Sequence, residues 1–204
     1  MTAVTLVLAS ASPARLQTLR SAGIEPVVTV SAVDESAVSE PDPATLAATL
    51  ARRKCADVAA RLAPAEPGGR TLVVGCDSVL ELDGAAYGKP LSAAVALERL
   101  RQLSGRSAAL HTGHALADAG SPQVRVATAS TTVTFGALTD AEIEAYVATG
   151  EPLHVAGAFT IDGLGGAFVE RVEGDPHNVV GLSLPLLRRM VADLGIGWHE
   201  LWNR

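Results

Sequence analysis

The chain has 204 residues, of which 48% are apolar and only 3% aromatic, and its formal net charge is −6. This length fits one domain or two small lobes, with alanine, valine and leucine supplying most of the core. The negative charge argues against a broad surface for nucleic acid or for an anionic membrane. An anionic ligand therefore needs a local basic pocket or a bridging metal.

The two cysteines, Cys55 and Cys76, are too few for a disulfide framework and favour a reducing compartment. The N-terminus lacks the pattern of a secretory leader, and no apolar run reaches membrane-spanning length. Together these features predict a cytoplasmic protein without a membrane segment.

Strands and helices alternate along the chain, which predicts an α/β fold in a single domain covering residues 1–204. In chain order the predicted elements are a strand Thr5–Ala9, a helix from Pro13 that stops at Gly23, a strand Glu25–Val33, a helix Pro43–Leu62, a strand Thr71–Leu82, a helix Ser92–Leu103, strands Ser107–Asp118 and Val124–Phe135, a helix Thr139–Gly150, strands Ala156–Ile161 and Ala167–Val172, and a helix Leu182–Leu194. Serine, threonine or aspartate caps, two of them followed directly by proline, mark most of the helix starts.

The junction between the first strand and the first helix has the chemistry of an anion site. Ser12 is a good N-cap and Pro13 suits the first helical position. Free backbone N–H groups at a helix start favour an anion, and Ser10, Ser12 and Arg15 add hydroxyls and a cation. The simpler alternative is a capped helix that carries a surface arginine.

Lys54 interrupts an apolar row on the long second helix. Leu46, Leu50, Lys54, Val58 and Leu62 are spaced four residues apart and share one side of that helix. One interpretation is a lysine whose stem packs on the core while its ammonium group reaches water. The other is a cation that faces a ligand.

Asp77 is a stronger anomaly, because it lies within the apolar strand-like run from Thr71 to Leu80. A carboxylate in a strand buried on both faces costs several kcal/mol unless it is paired or bound to a metal. One alternative is an aspartate that caps local backbone at a kink near Gly75. The functional alternative is a general base or a metal ligand in a cleft.

Other chemical signals are weak when taken alone. The pair Asp34 and Glu35 lies in a loop, and Lys89 lies between a glycine and a proline. His111 and His114 are three residues apart in a predicted strand and so face opposite sides. No cysteine pair has zinc spacing, and the chain has no Walker A sequence.

Taken in order, these segments resemble the Maf family, also called septum-formation proteins, whose members are nucleoside triphosphate pyrophosphatases. The matching segments are Leu8–Arg15, Asp34–Glu35, Leu50–Ala56, Gly75–Val79, Gly88–Pro90, Leu100–Arg106, His111–Gly113, Gly150–Pro152, Ala156–Phe159, Glu173–Asp175 and Asn178–Leu182. Single segments are weak signals, but so many in one order identify the chain as similar to this family over nearly its whole length.

The resemblance implies hydrolysis of a nucleoside triphosphate to the monophosphate and pyrophosphate, as in house-cleaning of modified or non-canonical nucleotides. It implies that Asp77 is the proton acceptor. Carried over by motif, the other active-site positions are Ser12, Arg15, Glu35, Lys54 and Lys89. The chemistry agrees, because the three cations can neutralise a triphosphate, and Glu35 and Asp77 offer hard oxygen ligands for Mg²⁺ or Mn²⁺.

Three further positions, Ala14, Ser78 and Asp162, correspond to those that select the base in the family. They match neither the branch that acts on dTTP and UTP nor the branch that acts on 7-methyl-GTP. A carboxylate at Asp162 can accept hydrogen bonds from a guanine edge, which gives a lean toward guanine-type bases. The alternative for Asp162 is a turn aspartate that caps its own backbone.

The resemblance also implies an architecture like that of the inosine triphosphatase group: a curved mixed sheet with flanking helices and two lobes around a cleft. It implies a homodimer that binds a nucleoside triphosphate. Two rival functions remain open at this stage. One is a non-catalytic regulator of division or septation, and the other is a nucleotide sensor without turnover.

Overall fold

The structure is a computed structural model that describes residues 3–65 and 69–203. The strands are β1 (Ala3–Leu8), β2 (Val27–Val28), β3 (Gly69–Leu82), β4 (Ala85–Tyr87), β5 (Ser107–Asp118), β6 (Arg125–Phe135) and β7 (Val169–Glu173). The α-helices are α1 (Pro13–Ser21), α2 (Pro43–Arg61), α3 (Ala93–Leu103), α4 (Asp140–Ala148), α5 (Pro176–Val180) and α6 (Leu184–Ala192). Short 3₁₀ segments cover Glu35–Ala37, Glu151–His154, Ala156–Ala158, Leu164–Phe168 and Trp198–Leu201. None of the described helices combines the length and apolar character that crossing a membrane requires.

The described strands form one open mixed sheet in the order β2-β1-β3-β5-β6-β7, with β4 paired to the end of β3. β1 runs parallel to β2 and β3, and the other pairs are antiparallel. Helices flank the sheet, so the prediction of an α/β fold with a mixed sheet is confirmed. Residues 66–68, between α2 and β3, lie outside the described residues.

β3 loses its partner on one side in the middle of its length. β1 pairs with it as far as Val74, and β4 begins to pair at Leu80. Over residues 75–79 the only strand that the described residues pair with β3 is β5. Asp77 and Ser78 therefore lie in a gap on that edge of the sheet, where loops and side chains can approach them.

Helix α2 crosses the sheet at two glycines on neighbouring strands. A Cβ atom added to Gly75 would lie 2.7 Å from the carbonyl oxygen of Ala51, and one added to Gly113 would lie 2.2 Å from that of Ala47. Only glycine permits such a close approach of helix backbone to strand. Because side chains alternate along a strand, Asp77 shares this face with Gly75 and points toward α2.

Apolar clusters lie at both ends of β3. One cluster includes Leu72 and Val74 with Leu187 of α6, and another includes Leu80 and Phe135. The buried polar side chains between them include Asp77, Thr112, His114 and Asn178. The apolar core is thus divided into two units along β3, and the arrangement in two lobes around a cleft stays a prediction.

Two predicted strands are wrong in extent or type. The strand predicted for Glu25–Val33 is only Val27–Val28, whose side chains are both exposed, so no buried face extends it. The strand predicted for Ala156–Ile161 begins as a 3₁₀ segment instead, because Gly157 and Ala158 adopt left-handed φ values of 73° and 63°. Such φ values are incompatible with an extended strand.

Three smaller differences concern the remaining predicted elements. The strand predicted for Ala167–Val172 begins at Val169 and follows a 3₁₀ segment. The short elements β4 and α5 have no counterpart among the predicted ones. The final helix is Leu184–Ala192, shorter at both ends than predicted.

Candidate active site

One cavity of about 720 Å³ lies at the gap in β3. It is lined by every side chain that the sequence predicts for the site. These residues are Ser12, Ala14, Arg15, Glu35, Lys54, Asp77, Ser78, Lys89 and Asp162. The chain folds residues from distant segments into one concave surface, as a ligand site requires.

Lys54 forms a buried ion pair with Asp77. Its Nζ atom lies 2.5 Å from Oδ1 of Asp77 and 2.7 Å from Oε1 of Glu35. The side chains of Lys54 and Asp77 are only 9% and 11% exposed, whereas that of Glu35 is 47% exposed. The interpretation of Lys54 as a lysine whose ammonium group simply reaches water is therefore wrong.

Asp77 also differs from a backbone cap at a kink. It sits in regular antiparallel register opposite Gly113. Within the described part of the chain, its carboxylate is bonded to the Lys54 ammonium group rather than to local backbone. α2 holds this cation in place, because the helix is pressed against the sheet at Gly75 and Gly113.

Glu35 projects from the 3₁₀ segment Glu35–Ala37, which Asp34 caps through the backbone N–H of Ser36. Partial burial opposes the ionisation of Glu35. The hydrogen bond from Lys54, together with the charges of Lys54, Lys89 and Arg15, outweighs it and keeps the pKa of Glu35 below its ordinary value. The adjacent carboxylates thus have separate tasks: Asp34 shapes the loop and Glu35 faces the cavity.

The guanidinium group of Arg15 is buried and held by three acceptors. It donates to the carbonyl oxygen of Gly181 at 2.8 Å, to Oγ of Ser10 at 3.0 Å and to Oγ of Ser78 at 3.1 Å. Ser78 in turn lies 2.9 Å from Oγ1 of Thr112. Arg15 is thus a fixed cation at the cavity wall, and Ser10, expected at an anion site, serves to orient it.

Helix α1 begins at the cavity, as predicted. Ser12 is its N-cap and accepts from the backbone N–H of Arg15 at 3.4 Å, and Pro13 occupies the first turn. The backbone N–H of Ser12 itself donates to Ser10 at 3.2 Å. The helix start and the Arg15 side chain therefore bring positive potential to the same wall.

Lys89 lies on the loop after β4, exposed at the edge of the cavity. The neighbouring carbonyl oxygen of Gly88 accepts from the backbone N–H of Gly157 at 3.3 Å and from Nη1 of Arg99 at 2.5 Å. The backbone on the N-terminal side of Lys89 is therefore tied down, while none of the described residues bonds its ammonium group, which can reach a ligand.

Asp162 and Ala14 lie together at another part of the cavity. Both also border a shallower hollow of about 290 Å³ that includes His177 and Val180. Asp162 is exposed, and among the described residues its carboxylate accepts no hydrogen bond from the protein. This differs from a turn aspartate that caps its own backbone.

No group of three or more histidine, cysteine or acidic side chains in the described residues could hold a metal by itself. The two predicted ligands nevertheless converge, because Glu35 and Asp77 both reach the Lys54 ammonium group. Two such carboxylates, completed by phosphate oxygens of a ligand, are a donor set that suits Mg²⁺. The predicted ligands therefore fit a hard divalent cation held jointly with a nucleotide.

The histidines on β5 face opposite sides, as predicted. His111 bonds Glu81 at 2.7 Å and Ser130 at 2.8 Å. His114 is buried on the other side, and its Nε2 accepts from the backbone N–H of Ser183 at 2.8 Å. Burial lowers the pKa of His114 to about 4, so its imidazole is neutral and serves as a structural acceptor.

Glu151 also lines the cavity but is absent from the predicted site. Its carboxylate accepts hydrogen bonds from side chains and backbone spread over residues 146–165. Glu151 lies in the segment Gly150–Pro152 that matches the family, but no residue pattern singled it out as a site residue.

Comparison with known proteins gives one consistent picture. The profile of the Maf-like protein family matches residues 5–194. A protein of Salinispora tropica is 59% identical over 199 residues, which cover 98% of this chain and 88% of the relative. One of Streptomyces coelicolor is 57% identical over 197 residues, covering 97% and 94%. One of Thermosynechococcus vestitus is 50% identical over 202 residues, covering 98% and 99%.

Each of these three relatives bears the name nucleoside triphosphate pyrophosphatase. The family match spans nearly the whole chain, including every element that contributes to the cavity. By this match and these identities, the chain belongs to the Maf family.

Proposed function

We propose that this protein is a nucleoside triphosphate pyrophosphatase, which hydrolyses a nucleoside triphosphate to the monophosphate and pyrophosphate. The family and the names of its relatives support this activity. The observation that carries it is one cavity in which Asp77, Lys54 and Glu35 lie close to Arg15 and the start of α1. When water attacks a charged phosphate, a base must take the proton and cations must neutralise the phosphate. This cavity supplies both kinds of group.

Arg15, Lys54 and Lys89 bind the triphosphate. Arg15 keeps its fixed orientation through Gly181, Ser10 and Ser78 and still has N–H groups left to donate. Ser12 and the first N–H groups of α1 add donors at the same wall. Fixed donors of this kind stabilise the negative charge that develops on the departing pyrophosphate.

Asp77 acts as the general base. Its carboxylate takes a proton from a water molecule, whose oxygen then bonds to the α-phosphorus. The bond from that phosphorus to the bridging oxygen breaks, and pyrophosphate leaves with the electron pair. Lys54 holds the carboxylate of Asp77 in place within a mostly buried wall.

Glu35 and Asp77 would hold the divalent cation, Mg²⁺ or Mn²⁺, together with phosphate oxygens of the nucleotide. When bound, that cation neutralises phosphate charge and lowers the pKa of water. The Lys54 ammonium group bonds both of these carboxylates. If a divalent cation were bound by them, the ammonium group would instead donate to an oxygen of the triphosphate.

Base selection falls to Ala14, Ser78 and Asp162. Asp162 presents to the cavity a carboxylate that none of the described residues bonds, and Ala14 leaves space beside it. This pair supports a guanine-type base in a roomy pocket, which suits modified or non-canonical nucleotides. Ser78 contributes less directly, because its hydroxyl already bonds Arg15 and Thr112.

Two further parts of the proposal are the compartment, which is the cytoplasm, and the oligomeric state, which is a homodimer. Cys55 and Cys76 are both buried and unpaired, in keeping with the reducing conditions of the cytoplasm. A homodimer is supported by exposed Val27, Val28 and Val30 at and beside the edge strand β2.

The test is pyrophosphate release by the purified protein from canonical and modified nucleoside triphosphates, with Mg²⁺, with Mn²⁺ and with EDTA. We expect stoichiometric monophosphate and pyrophosphate with metal, and loss of activity with EDTA. Binding without turnover across the whole panel would support a nucleotide sensor or a regulator of division instead. Full activity after exhaustive EDTA treatment would contradict the role of the metal.

A further inference from the structure

The carboxylate of Glu151 gathers four hydrogen bonds from one wall of the cavity. Oε1 accepts from Oη of Tyr146 at 3.0 Å, from Oγ1 of Thr160 at 2.5 Å and from the backbone N–H of Gly165 at 3.1 Å. Oε2 accepts from the backbone N–H of Leu164 at 3.1 Å. One side chain thus ties the end of α4 to both ends of the loop between Thr160 and Gly165.

This loop is built closely around the carboxylate. A Cβ atom added to Gly163 would lie 2.8 Å from both Glu151 oxygens, and one added to Gly165 would lie 2.5 Å from Oη of Tyr146. The backbone N–H of Thr160 also donates to Oη of Tyr146 at 3.2 Å. The loop therefore has little freedom to move as long as the carboxylate is in place.

Asp162 lies at the middle of this loop, between two residues that Glu151 holds directly. Its own side chain is exposed and, within the described residues, has no hydrogen-bond partner that would fix it independently. The backbone on either side therefore determines where its carboxylate stands in the cavity. Three hydrogen bonds from this loop, donated by Thr160, Leu164 and Gly165, converge on Glu151.

Glu151 is well suited to this task because it is held as a carboxylate. Burial opposes its ionisation, but the hydrogen bonds from Thr160, Leu164, Gly165 and Tyr146 outweigh burial and keep its pKa below the ordinary value. An ionised carboxylate accepts hydrogen bonds without donating any, which matches four donors. A neutral amide of the same shape cannot satisfy all of them.

We propose that Glu151 is a positioning residue for base recognition, holding the loop Thr160–Gly165 so that Asp162 faces the nucleobase of a bound nucleoside triphosphate. The inference rests on the proposed function, since it assigns a role at the base end of the same cavity. The ligand chemistry is a nucleobase edge that donates N–H groups, as guanine-type bases do.

The test compares ligands with and without a base, using Glu151→Gln. Calorimetry measures binding of α,β-methylene GTP, of α,β-methylene UTP and of inorganic triphosphate, none of which needs turnover. We expect the guanine ligand to bind about fivefold to tenfold more weakly, which corresponds to the loss of one or two hydrogen bonds. Inorganic triphosphate, which lacks a base, should bind within twofold of wild type.

A double-variant cycle identifies the path of the effect. If Glu151 acts through Asp162, then Glu151→Gln should change the affinity for α,β-methylene GTP little once Asp162→Asn is present. Additive losses, or equal losses for inorganic triphosphate and the guanine ligand, would overturn the proposal. If Glu151→Gln does not fold, Tyr146→Phe removes one donor to the same carboxylate and should produce a smaller change of the same kind.

The matched control is Glu142→Gln. Glu142 is also a carboxylate that accepts hydrogen bonds, in the capping box with Thr139 at the start of α4, but it does not line the cavity. It should lower stability without changing the ligand preference. If the wild type binds these ligands yet releases no pyrophosphate from any triphosphate, the proposed function fails while the inference on Glu151 is still decided by binding.

Discussion

Asp77 and Glu151 are carboxylates in the same cavity, but their partners differ in kind. Asp77 is bonded to a side-chain ammonium group, which it shares with Glu35. Glu151 is bonded to two hydroxyls and two backbone N–H groups. A lysine side chain can change partners when a ligand arrives, whereas backbone donors in a tight loop cannot. The ion pair of Lys54 and Asp77 can therefore rearrange during a reaction, whereas Glu151 keeps the loop Thr160–Gly165 in one conformation.

The largest expected effect is on turnover, from Asp77→Asn. Loss of a general base lowers the rate by roughly 10²–10⁴-fold. The fold should persist, because Lys54 keeps Glu35 as its partner. Pyrophosphate release on the preferred triphosphate measures the loss, and circular dichroism checks the fold. Near-normal turnover in a folded variant would remove Asp77 from the chemistry.

Lys54→Met tests how much the ion pair of Lys54 and Asp77 contributes to the free energy of unfolding. Removing one partner of a buried ion pair leaves the other charge uncompensated and costs about 3–5 kcal/mol. Urea unfolding should show this loss together with lower activity. Lys89→Met is the control, because Lys89 is exposed and its loss should change stability by less than about 0.5 kcal/mol. Equal stability of the two variants would argue against a buried pair.

His114 is a third ionisable side chain, and like Glu151 it is held by backbone groups. It is neutral in the fold, where its pKa is about 4, whereas in the unfolded chain its pKa is near 6.5. The unfolded chain thus takes up the proton first as pH falls. Stability should therefore be lost between pH 6.5 and pH 4, by up to about 3 kcal/mol.

Urea unfolding across that pH range checks this expectation. In His114→Gln the decline of stability toward pH 4 should be shallower than in wild type, even if the variant is less stable at pH 7. His199→Gln is the control for replacing a histidine by glutamine, because His199 is exposed. If the stability of His114→Gln falls as steeply toward pH 4 as that of wild type, other groups cause the acid sensitivity.

The smallest expected effect is on base preference, from Asp162→Gln. An amide donates as well as accepts, so preference should shift toward uracil or thymine. A lost hydrogen bond in a base pocket changes preference by about 1–3 kcal/mol, or roughly 5- to 150-fold. The measurement is the ratio of kcat/KM for GTP against UTP in both proteins. An unchanged ratio would place Asp162 outside the base pocket.

Local signals were enough to predict most helix starts. Ser12, Asp42, Ser92 and Thr139 all cap the helices predicted for them, because a cap and its partners lie within a few residues. The failures at Val27–Val28 and at Ala156–Ala158 have a different cause. The lack of burial at the edge of the sheet decided the first, and left-handed backbone decided the second; neither is visible in apolar spacing.

The residues of the candidate site also divide into those that a local sequence pattern marked and those that it did not. Lys54 and Asp77 stood out because each is a charge within an apolar pattern, and their pairing explains both anomalies at once. Family resemblance added Ala14, Ser78 and Asp162, which the fold brings to the cavity while their roles stay predictions. Glu151 lies in a segment that matches the family, but its role could not be found from sequence, because its donors come from three segments and two of them are backbone groups.

β3 runs without interruption from one apolar cluster to the other, and ten consecutive residue pairs join it to β5 from Leu72 to Glu81. Neither end can therefore melt while the other stays intact, because the same ladder supports both. The protein should denature as one cooperative unit, with coincident transitions by fluorescence and by circular dichroism. Movement on ligand binding is then expected in rim loops other than Thr160–Gly165, which Glu151 holds, and not in the strand that carries Asp77.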